Sequence, residues 1–152
     1  MSSKKSILTL AKETIAIESL AISQLANFID DTFAEAVDLI FNSKGRVIIT
    51  GIGKSAIIAQ KMVATFNSTG TPALFLHAAE AIHGDSGMIQ ANDIVLIVSK
   101  SGESPEIKNL VQLIKQFGNT IIGMVGNKQS YLATNADLIV DTTVTKEACI
   151  NN

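Results

Sequence analysis

The sequence predicts an α/β domain with a five-stranded parallel sheet and helices on both faces. Two observations carry this prediction. Five short segments are almost continuously apolar, and helical patterns separate them. A strand that is apolar on both faces is typical of a parallel sheet covered by helices on either side. Helical patterns between such strands supply the crossovers that parallel neighbours require.

Two helices are expected before the first strand. Apolar residues recur at three- and four-residue steps over residues 6–28, which indicates one long helix. A second helix is predicted for residues 31–41, where Asp30 or Asp31 can cap the start. Its apolar stripe is expected to consist of Phe33, Val37 and Ile40.

Strands and helices alternate in the rest of the chain. The predicted strands are 46–50, 73–76, 93–98, 120–125 and 137–141. The predicted helices between them are 55–68, 77–83, 105–117 and 129–134. Pro105 suits a first helical position, and Gly70 and Gly118 suit helix ends. In such sheets ligands bind at the carboxyl ends of the strands, so the loops there are the candidates for function.

Composition limits the possible partners and compartment. The 152 residues suit one domain, and charged residues make up only 17% of them, with a net charge of −2. Nucleic acid is excluded as a partner because phosphate neutralisation needs clustered Lys and Arg. No stretch reaches the ~18 uninterrupted apolar residues of a membrane span, so no membrane partner is expected. One cysteine, Cys149, favours the reducing cytoplasm.

The loop after the first strand can bind an anion. Gly51 and Gly53 allow the backbone to approach closely, and Ser55 opens a helix whose N-terminus attracts negative charge. A nucleotide-triphosphate loop is excluded, because Ile48 stands where that motif needs glycine. Residues 51–56 do match the dinucleotide pattern G-x-G-x-x-A, so a nicotinamide-dependent enzyme is one alternative. The second strand, however, has no acid at its end to hold a ribose.

The loop after the third strand is the stronger candidate for a phosphate site. It contains Ser99, Lys100, Ser101 and Ser104 directly before a helix that starts with proline. Hydroxyls, free backbone N–H groups and a helix dipole together form a phosphate cradle. Helix capping by Ser104 is the alternative explanation. It accounts for one serine and leaves the other three residues without a role.

No metal site is expected in this sequence. His77, Glu80 and His83 are spaced three and six residues apart, which does not place all three on one helix face. No fourth ligand is evident. Cys149 is interpreted as a small apolar residue near the pocket, since no base is spaced to activate it as a nucleophile.

Four motifs, in this order, resemble the sugar isomerase (SIS) domain. They are GIGKS, HAAEAIHGDSGM, SKSGES and KEAC. More specifically, the sequence resembles the D-arabinose 5-phosphate isomerases of Kdo and capsule biosynthesis. The resemblance implies an SIS phosphosugar-binding domain over residues 34–152, with flavodoxin-like or Rossmann-like layering, behind a helical segment at 1–33. It also implies no cofactor, and a homo-oligomer (tetramer or dimer) with sites near subunit boundaries.

The resemblance implies an activity as well. That family interconverts D-ribulose 5-phosphate and D-arabinose 5-phosphate through an enediol, for which a base, an acid and a group that stabilises the enediolate are needed. Glu103 and Glu147 match the functional glutamates, and which of them is the base stays open. Lys54 would face the sugar, and His83 matches an active-site histidine. The phosphate would be held by Ser99, Ser101 and Ser104.

The sequence also departs from the resembling family. Relatives continue after KEAC into a further helix with another functional histidine, and many carry a pair of CBS domains. Neither is expected within these residues, so either the last helix is missing or the chain is a fragment of a longer protein. Lys100 stands where many relatives have asparagine, and it adds positive charge to the loop. A sugar-phosphate-binding module without turnover is the alternative function.

Overall fold

The computed structural model describes residues 4–149 and confirms the predicted α/β sheet. The strands are β1 (Val47–Gly51), β2 (Ala73–His77), β3 (Ile94–Ser99), β4 (Thr120–Val125) and β5 (Leu138–Asp141). They are parallel and lie in the order β2-β1-β3-β4-β5, which is the order of flavodoxin-like sheets. Residues 1–3 and 150–152, at the ends of the predicted helical segment and domain, lie outside the described residues.

Six α-helices accompany the strands in the described part of the chain. They are α1 (Lys4–Leu25), α2 (Asp31–Asn42), α3 (Lys54–Ser68), α4 (Ala78–Ala81), α5 (Pro105–Phe117) and α6 (Tyr131–Asn135). The long first helix ends earlier than predicted, because the chain tightens into a 3₁₀ turn at Ala26–Phe28. A second 3₁₀ helix, Asp85–Met88, follows shortly after α4. The predicted division of the chain after residue 33 falls inside α2.

Each face of the sheet has its own apolar core. One core contains the fully buried α5 side chains Ile107, Leu110, Val111 and Ile114, together with residues of α4 and α6. The other core contains residues of α2 and α3, including Ala36 and Ala59. The helix after β1 therefore covers one face, and the helix after β3 covers the opposite face. The loops that leave the adjacent strands β1 and β3 therefore run to opposite faces of the sheet.

The predicted apolar stripe of α2 is wrong at one position. Val37 is 48% exposed, whereas Ala36 is buried and Leu39 and Ile40 pack against the core. Two overlapping apolar stripes run along this helix, and the sheet selects the one that contains Ala36. A small residue there lets the helix approach the strands closely.

The α1 helix keeps much of its apolar surface exposed. Six large apolar side chains are 42–69% exposed, namely Ile7, Leu8, Leu10, Ile15, Leu20 and Ile22. They lie around much of the helix and do not form one narrow stripe. None of the helices in the described residues is long and apolar enough to cross a membrane.

An ion pair between half-buried Arg46 and buried Asp93 closes the amino edge of the sheet, the edge at which the strands begin. The Asp93 carboxylate accepts hydrogen bonds from Arg46 Nη2 at 2.6 Å, from the Arg46 backbone N–H at 2.9 Å and from the Gln90 N–H at 2.8 Å. Burial by itself raises the pKa of Asp93, but the hydrogen bonds from Arg46 and Gln90 outweigh it and hold that pKa below its ordinary value. Asp93 is therefore ionised at neutral pH.

Candidate functional site

An open cleft of about 590 Å³ lies at the carboxyl edge of the sheet, the edge at which the strands end. Its walls come from the loops after β1, β3 and β4. The lining residues are Ile52, Ser55, Ser99, Lys100, Ser101, Ser104, Gly126 and Asn127. Because the connections after β1 and β3 run to opposite faces, the cleft lies at the switch point where flavodoxin-like sheets bind their ligands.

The loop after β3 is folded tightly by its own hydrogen bonds. Ser99 Oγ accepts a hydrogen bond from the Gly102 N–H at 3.1 Å, and the Gly102 carbonyl accepts one from the Leu132 N–H at 3.0 Å. Gly102 has a φ of +64°. A Cβ added to Gly102 would lie 2.7 Å from the Cβ of Ser130, which is a clash. Only glycine fits both the conformation and the space. The cradle is thus shaped by the protein's own contacts.

Ser104 is positioned as a helix cap but does not act as one. It is the N-cap residue of α5, yet its side chain makes no capping hydrogen bond. Its Oγ is buried and has no hydrogen-bond partner among the described residues, although the residue lines the cleft. Capping therefore does not explain this serine. Since buried polar atoms are normally paired, the hydroxyl is available to a ligand in the cleft.

Unpaired buried polar atoms concentrate at this edge of the sheet. In the described part of the chain they are Thr50 Oγ1, His77 Nδ1 and Ser104 Oγ. Thr50 and His77 are within the last two residues of β1 and β2, and Ser104 follows β3. Such groups carry a desolvation cost that folding leaves uncompensated, which is a feature of functional sites.

The loop after β1 brings α3 to the cleft at close range. A Cβ on Gly51 would lie 3.0 Å from the Val98 carbonyl oxygen and 3.0 Å from the Ser55 carbonyl carbon. Gly53 precedes α3 with a φ of +57°, which favours glycine. Ser55 lines the cleft, whereas Gly51, Gly53 and Lys54 are not among its lining residues. Lys54 is exposed at the first position of α3.

Glu147 reaches the rim of the cleft through an ion pair with Lys100. The segment after β5 carries it there and is anchored at its start. Thr142 Oγ1 donates to the Val125 carbonyl at 2.9 Å, and Thr143 Oγ1 donates to the Gly126 carbonyl at 3.2 Å. The end of β4 thereby directs the segment toward the loop after β3. Two predicted site residues, distant in sequence, are in contact.

Glu103 points to a different set of partners. Its Oε1 accepts a hydrogen bond from the Tyr131 N–H at 2.5 Å, and its Oε2 lies 2.7 Å from Lys108 Nζ. The Lys108 ammonium, together with the Tyr131 N–H, holds the pKa of Glu103 below its ordinary value. The carboxylate joins the starts of α5 and α6, and Glu103 is not among the residues that line the cleft.

The remaining predicted residues lie away from the cleft lining. His83 is exposed just beyond α4. Cys149 is exposed and lines a separate pocket with Leu10, Thr14 and Glu18 of α1, so it is not among the residues that line the cleft. No three His, Cys, Asp or Glu side chains within the described residues cluster as a metal site requires.

Three lining residues were not anticipated from the sequence. They are Ile52, Gly126 and Asn127. Gly126 and Asn127 follow β4 directly, so the rule that ligands bind where strands end pointed to them. Their loop had no hydroxyl or glycine pattern as distinctive as the other two. Gly126 is nevertheless held against the loop after β3, because its N–H donates to the Lys100 carbonyl at 3.0 Å.

Comparison with known proteins places the chain among sugar isomerases. The family model for the SIS domain matches residues 39–152. The chain is 48% identical, over 95% of its length, to a probable arabinose 5-phosphate isomerase of Haemophilus influenzae, and covers 43% of that protein. It is 47% identical, over 91% of its length, to the arabinose 5-phosphate isomerase KdsD of Pseudomonas aeruginosa, and again covers 43%. The chain thus spans less than half the length of these curated relatives.

A solved structure shows the same arrangement of the chain. It is that of an Escherichia coli CFT073 protein in complex with arabinose 5-phosphate. The two structures superpose with a TM-score of 0.92 at 36% sequence identity, and the match covers 98% of this chain and 79% of the other. The fold described above is therefore one that, in this similar protein, accommodates a pentose phosphate.

Proposed function

Because the chain belongs to the SIS domain family, we propose that it is the isomerase domain of a D-arabinose 5-phosphate isomerase. It binds a pentose 5-phosphate in the carboxyl-edge cleft and interconverts D-arabinose 5-phosphate with D-ribulose 5-phosphate. The product class suits lipopolysaccharide or capsule biosynthesis. The observation that carries the proposal is the cleft itself, where the buried, unpartnered Ser104 hydroxyl lies beside Ser101 and Lys100.

The chemistry of the cleft supports a phosphate as the bound group. Ser55, Ser101 and Ser104 offer hydroxyl donors, and Lys100 offers an ammonium. The first N–H groups of α5 have no partner within the helix and add a positive partial charge. A dianion satisfies all of these groups at once, whereas a neutral ligand leaves the lysine and the helix end uncompensated.

The isomerisation moves hydrogen between two neighbouring carbons and requires no redox cofactor. A carboxylate removes the proton from C2 of the aldose, and the electron pair forms the enediolate. Return of the proton to C1 gives the ketose, while an acid serves the two oxygens. We assign the base to Glu147, since its carboxylate contacts Lys100 of the cleft lining. Lys54 is the candidate for stabilising the enediolate, and His83 for proton transfer on the oxygens.

Glu103 is the second carboxylate of the proposal. Its pKa lies below the ordinary value because of the Lys108 ammonium and the Tyr131 N–H, so it is ionised at neutral pH. An ionised group accepts protons and does not donate them, which makes Glu103 a poor general acid in this arrangement. Its contacts with both α5 and α6 suit a role in holding the phosphate loop.

A binding module without turnover is the second candidate function. It is favoured by one observation: Lys54, His83 and Glu103 are not among the residues that line the cleft. In that case the protein would sense a sugar phosphate through the same serines and Lys100. The two functions share the phosphate site and differ only in whether a proton leaves the sugar.

Deuterium exchange separates these two functions. The protein is incubated with D-arabinose 5-phosphate in D₂O, and NMR follows deuterium uptake at the reacting carbons together with ketose formation. We expect both, with exchange about 10²-fold slower or more in Glu147→Gln. Glu35→Gln, a change at an exposed carboxylate on α2, is the matched control and should match the wild type. Binding without exchange would establish the module, and no pentose phosphate binding would refute both functions.

We further propose that the protein is a cytoplasmic homo-oligomer, a dimer or tetramer, associated through α1. The support is the set of large apolar side chains that α1 exposes, since a helix that is apolar around much of its surface is typically buried against a partner. The single cysteine is in keeping with a reducing compartment. Sedimentation velocity at micromolar concentration tests the assembly, and a monomer would contradict it.

A further inference from the structure

We propose that Glu147 and the bound phosphate compete for the same ammonium group, that of Lys100. Binding of the phosphate would then release the Glu147 carboxylate at the moment the sugar arrives. This inference rests on the proposed function, because it concerns the phosphate site and the base of that reaction. It starts from one contact, the ion pair between Lys100 and Glu147 at the rim of the cleft.

The backbone and the aliphatic stem of Lys100 both contact Gly126. Its carbonyl accepts the Gly126 N–H at 3.0 Å. Its stem lies over Gly126, where an added Cβ would be 3.2 Å from Lys100 Cγ. The side chain as a whole is 59% exposed. Backbone and stem therefore keep the lysine at the cleft, while the ammonium can exchange one partner for another.

The segment that carries Glu147 is anchored four to five residues before it. Thr142 and Thr143 anchor the segment to the end of β4, and the residues that follow as far as Glu147 form no helix or strand. The Glu147 side chain is 44% exposed. Ion pairs with this much exposure are weak, because water and salt screen them. The contact is weak enough to be displaced.

The charges decide which partner Lys100 prefers. Lys100 is the one cationic residue among the described residues that line the cleft. A phosphate dianion carries more charge than a carboxylate and also receives the Ser101 and Ser104 hydroxyls and the N–H groups at the start of α5. It therefore outcompetes Glu147. By linkage, a carboxylate that weakens phosphate binding is itself released by phosphate to the same degree.

The consequence is a coupling between phosphate recognition and proton removal. A sugar without a phosphate would leave the Glu147 carboxylate engaged by Lys100. A sugar phosphate would leave it unpaired beside the substrate. The ion pair thus couples the phosphate, a group remote from the reacting carbons, to the fraction of Glu147 that is free to act as the base.

A double-mutant cycle on anion binding tests this inference. Dissociation constants for inorganic phosphate and for D-arabinose 5-phosphate are measured by calorimetry with wild type, Lys100→Asn, Glu147→Gln and the double variant. We expect Glu147→Gln to bind both anions about fivefold more tightly, within the range of typical coupling energies. Lys100→Asn should bind them about tenfold more weakly. In the Lys100→Asn background, Glu147→Gln should change the affinity by less than about twofold.

A matched control separates competition from general charge repulsion. Glu106→Gln removes the same charge from the first turn of α5 without touching Lys100. Its effect on phosphate affinity should be equal in the two Lys100 backgrounds. Thermal unfolding of each variant checks that the substitutions leave the fold intact.

The outcomes distinguish this inference from the proposed function. If neither anion binds the wild type at millimolar concentration, the proposed function fails and the inference fails with it. If both anions bind and Glu147→Gln binds them equally or less tightly, Lys100 serves both partners at once. The competition is then refuted, and the phosphate site stands. An equal gain in both Lys100 backgrounds would also refute it.

Discussion

The two edges of the sheet treat buried polar groups in opposite ways. At the amino edge, the Asp93 carboxylate accepts four hydrogen bonds, three from Arg46 and one from Gln90. At the carboxyl edge, the Ser104 hydroxyl is buried and has no partner among the described residues. The first arrangement lowers the free energy of the folded chain. The second leaves a cost that a bound ligand can offset.

The contrast separates stability from function within one domain. Groups that are fully paired inside the protein should affect unfolding when they are changed and leave ligand binding alone. Groups that are left unpaired should do the reverse. The following substitutions test the contrast, beginning with the largest expected effect.

Asp93→Asn should cause the largest loss of stability. It leaves the Arg46 guanidinium without its counter-charge, and we expect the free energy of unfolding to fall by about 3 kcal/mol. Urea denaturation measures the change, with Asp38→Asn on the exposed face of α2 as the control. Phosphate affinity of the folded variant should be unchanged. A parallel loss of affinity would show that the two edges are coupled.

The same ion pair predicts how stability depends on pH. The folded pKa of Asp93 lies below its ordinary value, so its contribution is fully present above the unfolded pKa of about 3.9. The contribution is lost as the pH falls through the folded value. The difference in unfolding free energy between wild type and Asp93→Asn should therefore shrink on acidification below about pH 4. A difference that stays constant on further acidification would contradict this.

Gly102→Ala should have the next largest effect, at the opposite edge. The new Cβ would lie 2.7 Å from Ser130 Cβ in a backbone with a φ of +64°, and we expect a loss of about 2 kcal/mol together with weaker phosphate binding. Gly118→Ala is the matched control, since Gly118 has a φ of +78° and nothing within 4 Å of the added Cβ. It should cost about 1 kcal/mol and leave binding unchanged. Equal effects of the two variants on binding would contradict the assigned shape of the cradle.

Two serines at helix N-cap positions give the smallest and sharpest test. Ser130 Oγ accepts the Ala133 N–H at 3.2 Å, so Ser130→Ala should lower the unfolding free energy by about 1 kcal/mol. Ser104 makes no such bond, and its hydroxyl is buried without a partner among the described residues, so Ser104→Ala should not lower the unfolding free energy but should weaken phosphate binding about tenfold. Chemical denaturation and calorimetry measure the two quantities. If Ser104→Ala destabilised the protein as Ser130→Ala does, capping would explain Ser104 after all.

Local signals in the sequence predicted the elements well where such signals are strong. Pro105 and Gly118 mark the ends of α5, and the helix was predicted with its observed bounds, Pro105–Phe117. The continuous apolar run of β4 was likewise predicted as Thr120–Val125. The α2 stripe was wrong at Val37, because two overlapping apolar stripes fit the same periodicity.

The candidate site was predicted only where its residues are close together in the sequence. Ser99, Lys100, Ser101 and Ser104 belong to one loop, so the chain itself keeps them together. Gly126 and Asn127 entered the cleft only because β4 lies next to β3. Strand order is set by packing between distant segments, and one sequence carries no direct signal for it.

By itself, the sequence determined the alternation of strands and helices and the glycine and serine loops that follow two of the strands. These follow from backbone sterics, side-chain periodicity and helix capping, all of which act between near neighbours. Only the tertiary structure decided which polar groups find partners. It paired Asp93 with Arg46, 47 residues away in sequence, and Glu147 with Lys100, and it left Ser104 unpaired at the cleft. Hydrogen bonds and ion pairs across the fold depend on the positions of whole strands and helices, and those positions are fixed only when both cores close.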